Sequence, residues 1–395
     1  MTRPGKRLAI VVSHPIQYYV PLYRRLAQRN EVAIKVFFTW HAGEAPVHDR
    51  GFDAPVAWDI PLTSGYEFER VPNVACDPGT HRFLGLCNPS LVDRVNAWGP
   101  DAVHMTGWAW ASHLRALHAF QGRGLPILFR GDSHLLDAPE RGPRWWIKRA
   151  LLRRVYTWPK IFLVVGAANR AYFEAFGVKE DRLYPCPHSI DVGRFAEPAA
   201  ALEAEAAQWR NQLGIAENCR VLLYAGKFER KKRPLELMRA IAAIGDPGIV
   251  LVLVGAGELE SDVNALAASD PTHFRVLPFQ NQSRMPVVYR LGDLFVLPSA
   301  YGETWGLAVN EAMACGRPAL VSNRVGCAVD VVDPSCGRVF PWNDSSAMIE
   351  AVQDLTSSRD MLRNMGAAAR QRAWAFDVAR TEAGVLSALQ RVCAT

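Results

Sequence analysis

Short apolar runs, largely β-branched, alternate along the chain with longer stretches in which apolar positions recur at helical spacing. In the first half the runs are Leu8–Val12, Val32–Phe38, Ala102–Met105, Ile127–Phe129 and Ile161–Val165, and helix-length patterns fall at Val20–Gln28, Ala111–Phe120 and Trp145–Val155. In the second half the runs Val221–Ala225, Ile249–Val254, Phe274–Val276, Leu294–Leu297 and Ala319–Val321 are separated by helical patterns at Pro234–Ala243, Leu259–Ala267 and Leu307–Cys315. Continuous apolar strands with helices between them predict parallel sheets covered on both faces, hence an α/β fold. The alternation lapses between Phe195 and Asn218, where the Ala/Glu-rich stretch Glu197–Arg210 reads as an exposed helix, so a domain boundary is expected there. Two Rossmann-like domains in tandem would present the carboxyl edges of their parallel sheets to an interdomain cleft, the usual ligand site of such sheets.

Composition narrows the classes. At 395 residues, 49% hydrophobic and 21% charged, the chain is long enough for two or three domains of about 150 residues, and it buries enough surface to need no disulfides. Its eight cysteines show no C-x-x-C spacing, which favours reduced thiols and argues against zinc. No apolar run approaches the roughly 20 residues of a membrane span. The basic start, Met1–Arg7, precedes an apolar run too short for a secretory signal, so a cytoplasmic protein is expected. Residues 1–200 hold 25 basic against 18 acidic side chains, whereas residues 201–395 hold 20 against 21. That modest excess, with no reading motif, gives no case for nucleic-acid binding.

Two segments carry candidate chemistry. Ser299-Ala-Tyr-Gly-Glu303-Thr304-Trp305-Gly306-Leu307 follows a strand and opens a helix that holds Glu311, and the segment runs on to Pro318. A helix N-terminus offers free N–H groups and partial positive charge to a phosphate, and carboxylates accept the hydrogen bonds that sugar hydroxyls donate. Glu303 and Glu311 flanking such a seat suit a nucleotide-sugar, although each also fits an ordinary helix-end or solvated charge. The second segment, Gly226-Lys227-Phe-Glu-Arg-Lys-Lys232-Arg233-Pro234, ends a buried strand in a basic loop, where Lys227 and Lys232 are placed to clamp a diphosphate.

Both segments resemble the C-terminal domain of the GT-B retaining glycosyltransferases of family four. That family carries a Glu-x7-Glu element running into Glu-Ala-Met-Ala-x-Gly-x-Pro, matched here from Glu303 to Pro318. It also carries a strand–Gly-Arg-x4-Lys loop, matched at Gly226, Lys227 and Lys232. Val254-Gly-Ala-Gly257, Pro187-His-Ser-Ile-Asp191-x3-Phe195 and Trp374 extend the likeness over Leu183–Phe376. The resemblance implies that Glu311 binds ribose hydroxyls, and that Glu303 and the amides of Thr304, Trp305, Gly306 and Leu307 contact sugar and diphosphate. Lys227 and Lys232 would neutralise the leaving group. Trp305 stands for the usual Phe, Lys227 for Arg, Val325-Gly326-Cys327 for a Gly-Gly pair, and Asp330 for a common Glu.

The first half departs further from the family pattern. Ser13-His14-Pro-Ile-Gln17 ends the first strand where the family often has a glycine loop; His14 and Gln17 are candidate ligand contacts, and His14 as a cap of the following helix is an equal reading. Phe129-Arg130-Gly131-Asp132-Ser133-His134 ends another strand, and the resemblance implies that His134 faces the donor sugar, with Asp132 either beside it or capping the next turn. His104, His113 and His118 read as packing or surface residues. The stretch 141–160, with Arg141, Arg144, Lys148, Arg149, Arg153, Arg154 and Lys160 between tryptophans and leucines, reads either as a solvated connecting helix or as an interfacial one drawn to anionic lipid.

The domains expected are an acceptor-binding one at 1–196, a nucleotide-sugar donor domain at 197–375, and a C-terminal helix, 376–395, packing back on the first. No Asp-x-Asp occurs, so no metal and no resident cofactor are expected. The implied activity is retaining, metal-independent transfer of a sugar from a nucleotide-sugar to a glycan or glycolipid hydroxyl, in surface polysaccharide or lipopolysaccharide assembly at the inner membrane face. A nucleotide-sugar epimerase or hydrolase of the same fold, and a non-catalytic nucleotide-sugar-binding subunit, are the alternatives.

Overall fold

A computed structural model of the chain describes residues 5–40, 47–49, 54–137 and 142–394. Met1–Pro4 of the basic start and Arg141 of the basic stretch lie outside the described residues, as does the side chain of Arg144. The strands, in chain order, are β1 (Lys6–Val12), β2 (Val32–Phe38), β3 (Val47–Asp49), β4 (Ala54–Val56), β5 (Phe68–Arg70), β6 (Ala102–Thr106), β7 (Ile127–Arg130), β8 (Ile161–Val164) and β9 (Leu183–Pro185), then β10 (Arg220–Ala225), β11 (Ile249–Val254), β12 (Phe274–Leu277), β13 (Leu294–Leu297), β14 (Ala319–Ser322) and β15 (Gly337–Phe340). They build a seven-stranded sheet in the order β5-β2-β1-β6-β7-β8-β9 and a six-stranded sheet in the order β12-β11-β10-β13-β14-β15, with β3 and β4 a separate antiparallel pair. Every pairing in the two large sheets is parallel.

Parallel strands need helical crossovers, and these cover both faces. In the first sheet the alternation along β1 is divided between two cores. Ala9 and Val11 join Val103, Phe129 and Phe162 on one face, and Leu8, Ile10 and Val12 join Leu128, Ile161 and Leu163 on the other. In the second sheet all of β11, Ile-Val-Leu-Val-Leu-Val, is buried, as an interior parallel strand must be.

The chain divides into two compact units. One comprises residues 1–45, 61–188 and 378–395, and the other residues 46–60 and 189–377. The division falls at His188 rather than near 196. The helix Val378–Cys393 completes the first unit: Val385, Ala388, Leu389 and Val392 enter the core that holds Leu8 and Leu26. Its buried Glu382 pairs with Arg25 at 2.7 Å and Arg29 at 2.5 Å. Residues 46–60 belong to the second unit, where Asn281 Nδ2 donates to the Ala57 carbonyl at 2.6 Å and Ser283 N donates to Asp59 at 3.1 Å. No helix among the described residues is long and apolar enough to cross a membrane.

Candidate functional site

The second sheet reverses its winding between β10 and β13, and a sheet of this order opens a crevice at the carboxyl edge there. Two loops meet at that point. One leaves β10 through half-buried Gly226 and Lys227, makes a 3-10 turn at Arg230–Lys232, and enters the helix Pro234–Ile244 through Arg233, which holds φ at 57°. The other leaves β13 and enters the helix Leu307–Ala314 through Gly306, at φ 92°. Lys232 Nζ lies 2.6 Å from Glu303 Oε2, and the two side chains are only 20% and 15% exposed. Ser299 Oγ donates to the same carboxylate oxygen at 3.3 Å, and Ala300 N donates to the Lys231 carbonyl at 2.7 Å. From inside the sheet, Tyr224 donates its hydroxyl to the Lys227 carbonyl at 2.6 Å, which fixes the strand end.

Glycines decide how closely these loops approach. A Cβ at Gly255 would lie 2.0 Å from the Gly226 carbonyl oxygen, and one at Gly326 would lie 1.9 Å from that of Thr304. Both obstacles are backbone, so no side-chain rotation relieves them. Gly326 N donates to the Glu303 carbonyl at 3.0 Å and Cys327 N to that of Trp305 at 2.9 Å. One glycine of the usual pair is therefore sufficient here, since Gly326 occupies the position that requires it. Trp305 is buried, with its indole N–H donated to Asn310 Oδ1 at 2.9 Å and its ring against Phe376. Its side chain props the loop, while exposed Thr304 and half-buried Leu307 border the crevice.

Glu311 sits inside the helix at 2% exposure and accepts a hydrogen bond on Oε2 from the Tyr289 hydroxyl at 2.5 Å. Burial lifts its pKa to about 7, against the opposing pull of the Tyr289 hydroxyl and the Arg194 guanidinium. Arg194 is held in turn by Gln282, through Oε1 at 3.4 Å and through the backbone carbonyl. Tyr289, Arg194 and Gln282 are not singled out by sequence reasoning. Arg194 does fall within the Asp191-x3-Phe195 element, which was the available signal.

In the first sheet the winding reverses between β1 and β6. His14 follows β1, with Nδ1 receiving the Ser13 hydroxyl at 2.9 Å and the ring edge-on to Trp40, and burial drops its pKa to about 4. It does not cap the next helix, Val20–Ala27, which starts without a side-chain cap. Gln17 is half-buried in the same loop. After β7, Asp132 is exposed, whereas the His134 side chain is only 4% exposed. His134 Nδ1 accepts from Leu136 N at 3.2 Å, which puts the proton of the neutral ring on Nε2, and Nε2 has no hydrogen-bond partner. A cavity of about 140 Å³ lies beside it, lined by Trp108, Trp110, Asp132 and Ser133 among others. Arg130, 3% exposed, gives its guanidinium to the carbonyls of Cys186 and Pro187, with no carboxylate paired to it among the described residues. His113 is structural: Nδ1 donates to the Thr106 carbonyl and Nε2 accepts from Thr39, both at 3.0 Å.

The structure therefore brings Gly226, Lys227, Lys232, Glu303, Thr304, Trp305, Gly306, Leu307 and Glu311 to one edge of the second unit. It places His14, Gln17, Asp132 and His134 at the corresponding edge of the first. Among the described residues no cluster of three or more His, Cys, Asp or Glu side chains is placed to hold a metal ion.

Comparison with known proteins gives relatives for the second unit and for the fold. Residues 205–372 match the model of the family described as glycosyl transferases group 1. A D-inositol 3-phosphate glycosyltransferase of Nocardia farcinica is 33% identical over 230 residues, 55% of this chain and 49% of the relative. The chain thus spans about half the length of the curated relatives it matches. Among solved structures, sucrose-phosphate synthase of Thermosynechococcus elongatus superposes with a TM-score of 0.72 at 19% identity, covering 98% of this chain and 99% of that one. HepE of Anabaena, solved in complex with UDP and glucose, superposes with a TM-score of 0.69 at 16% identity, over 98% of this chain and 100% of that one. Residues 205–372, which hold the Lys232–Glu303 pair, thus resemble the glycosyl transferases group 1 family, within a chain whose two parallel-sheet units share the GT-B fold of those solved structures.

Proposed function

We propose that the chain is a glycosyltransferase that moves a sugar from a nucleotide-sugar to a hydroxyl of a glycan or glycolipid, with retention at the anomeric carbon and without a metal ion. The observation that carries this reading is the Lys232–Glu303 pair at the reversal point of the second sheet, 2.6 Å apart and next to the N-terminus of the helix Leu307–Ala314. A diphosphate seated on that terminus would meet the ammonium groups of Lys227 and Lys232, freeing Glu303 to accept from sugar hydroxyls. Glu311, whose Oε1 is paired with no donor among the described residues, accepts from the ribose. As the nucleoside diphosphate departs, negative charge grows on phosphate and positive charge on the sugar. Preorganised cations and amides stabilise that separation without reorganisation. No carboxylate at this edge is required as nucleophile: the acceptor hydroxyl attacks from the face the diphosphate leaves and gives its proton to a phosphate oxygen.

The acceptor belongs to the first unit. Support comes from its largely neutral carboxyl edge, from the 140 Å³ cavity, and from the helix Pro143–Val155. On that helix Trp146, Ile147 and Leu151 are 52%, 70% and 50% exposed, and the Arg149 guanidinium lies over the rings of Trp145 and Trp146. Exposed apolar groups among cations suit an anionic lipid surface, which favours a lipid-linked acceptor in surface polysaccharide or lipopolysaccharide assembly. The relatives, a D-inositol 3-phosphate glycosyltransferase and a protein solved with UDP and glucose, agree with a nucleotide-sugar donor and a polyol acceptor. The test is product analysis with donors labelled in the sugar across an acceptor panel. Label carried onto an acceptor with unchanged anomeric configuration supports the reading, and label found only as free sugar overturns it.

A further inference from the structure

The second unit holds another cavity, of about 730 Å³, at the opposite edge of its sheet. Cys219, Asp293 and Arg317, which border it, immediately precede or nearly precede β10, β13 and β14, so it opens at the amino edge, across the sheet from Lys232 and Glu303. The helix Arg359–Ala373 forms one wall. Five arginines line the space against two carboxylates, Glu217 and Asp293. Three of the five are committed. Arg210 pairs with Asp293 at 2.8 Å, Arg317 pairs with Glu203 at 2.5 Å, and Arg359 donates to the carbonyls of Glu217 and Cys219 at 2.6 and 3.0 Å.

The other two are not. Arg363 reaches only Asp360 on its own helix, with both side chains about four-fifths exposed. Arg370 has no hydrogen-bond or ion-pair partner among the described residues, although it is half-buried. The backbone makes room for it. Gly316, at φ 74°, presents bare chain to the guanidinium, where a Cβ would lie 3.1 Å from Arg370 Nη2. Gly366 lets the helix approach the Gly316 carbonyl, where a Cβ would lie 2.3 Å from the oxygen. Trp374, 50% exposed, stands at the rim. A half-buried guanidinium without a counter-ion, a second one two turns away on the same helix and an open indole face form a cradle for an anion attached to a flat ring.

We propose that this cavity binds a phosphorylated small molecule, with its phosphate on Arg370 and Arg363 and its ring on Trp374. Its volume falls in the range of small-molecule sites, roughly 300–1,000 Å³, and guanidinium groups match phosphate geometry bidentately. The proposal is independent of the sugar-transfer reading, because it uses none of the same residues.

Calorimetric titration at constant ionic strength tests it, on the full chain carrying Lys232→Ala so that the other phosphate seat is weakened. Inorganic pyrophosphate should bind saturably, and adding Arg370→Ala should weaken it by about tenfold or more, the loss of one charge-assisted hydrogen-bond pair. A nucleoside monophosphate should lose affinity with Trp374→Ala, while pyrophosphate should not. Absence of saturable binding, or binding indifferent to Arg370→Ala, would overturn the assignment. Tighter binding of polyglutamate than of either phosphate probe would also overturn it, in favour of an acidic protein segment.

Discussion

The carboxyl edges of the two sheets are built on related winding orders, yet they keep opposite kinds of groups. On the second unit the reversal point carries lysines and carboxylates in partly exposed loops, with Lys232 and Glu303 already paired at 2.6 Å. On the first unit it carries imidazoles that burial holds neutral, His14 and His113 near pKa 4, with His104 inside β6 held near 3. Its guanidinium, Arg130, is turned inward onto backbone carbonyls. Topology supplies a crevice at both edges while loop chemistry differs between them; on the proposed reading, charge suits a diphosphate at one edge, and neutral donors and aromatic walls suit a hydroxyl compound at the other.

Removing the charge from the second edge should have the largest effect. Lys232→Ala is expected to lower kcat/KM for sugar transfer by about 10²–10³-fold, the cost of one preorganised stabilising group. His14→Gln exchanges one neutral group for another and should change it far less. Equal losses would erase the distinction between the edges. Backbone packing gives the next contrast. Gly326→Ala meets a carbonyl oxygen at 1.9 Å, whereas Gly131→Ala meets the edge of the Phe129 ring at 3.3 Å. Chemical denaturation should show a loss of about 3 kcal/mol or more for the first and about 1 kcal/mol for the second, by the magnitudes of overpacking.

Acid should separate the two units by sign. His14, His104 and His113 have folded pKa values lowered to about 4, 3 and 4. Unfolding therefore takes up protons as pH falls from about 6.5 toward 4, and stability due to these rings is present above that window and lost within it. Glu311 is raised to about 7, so its contribution is favourable below about pH 4.5 and declines as pH rises to 7. Thermal melts across this range should show His113→Gln flattening the acid limb and Glu311→Gln flattening the neutral one. If ribose binds the ionised carboxylate, nucleoside diphosphate affinity should also rise about tenfold from pH 6 to 8, a dependence that Glu311→Gln removes. The smallest effect belongs to the basic helix. Ile147→Glu should reduce binding to vesicles containing anionic lipid, by about 1 kcal/mol per altered charge, while leaving nucleotide binding unchanged.

Interior strands such as β10, β11 and β13 are legible because they are continuous apolar runs. Among the edge strands β12 is legible, but β15 buries only its two ends and β9 is three residues ending in proline, so neither of these leaves a run to detect. The lysine and glutamate loops are legible for a related reason, since each lies within one short strand-to-helix passage. Tyr289, Arg194 and Gln282 come to Glu311 from separate elements, and only the folded chain assembles them. The same holds for the arginine-lined cavity, whose residues run from Arg210 to Trp374. The inclusion of residues 46–60 in the second unit rests on Asn281 and Ser283, more than two hundred positions away, beyond the reach of any local pattern.

The central claim is that the lysine–glutamate edge of the second unit seats the diphosphate of a nucleotide. Thermal denaturation with a panel of nucleoside diphosphates addresses it directly, because a ligand at 100 times its Kd stabilises the fold by about 2.7 kcal/mol. At least one nucleoside diphosphate should raise the Tm of the wild-type chain, and Lys232→Ala should abolish most of that rise. Stabilisation by none of them at saturating concentration, or an undiminished rise in Lys232→Ala, would contradict it.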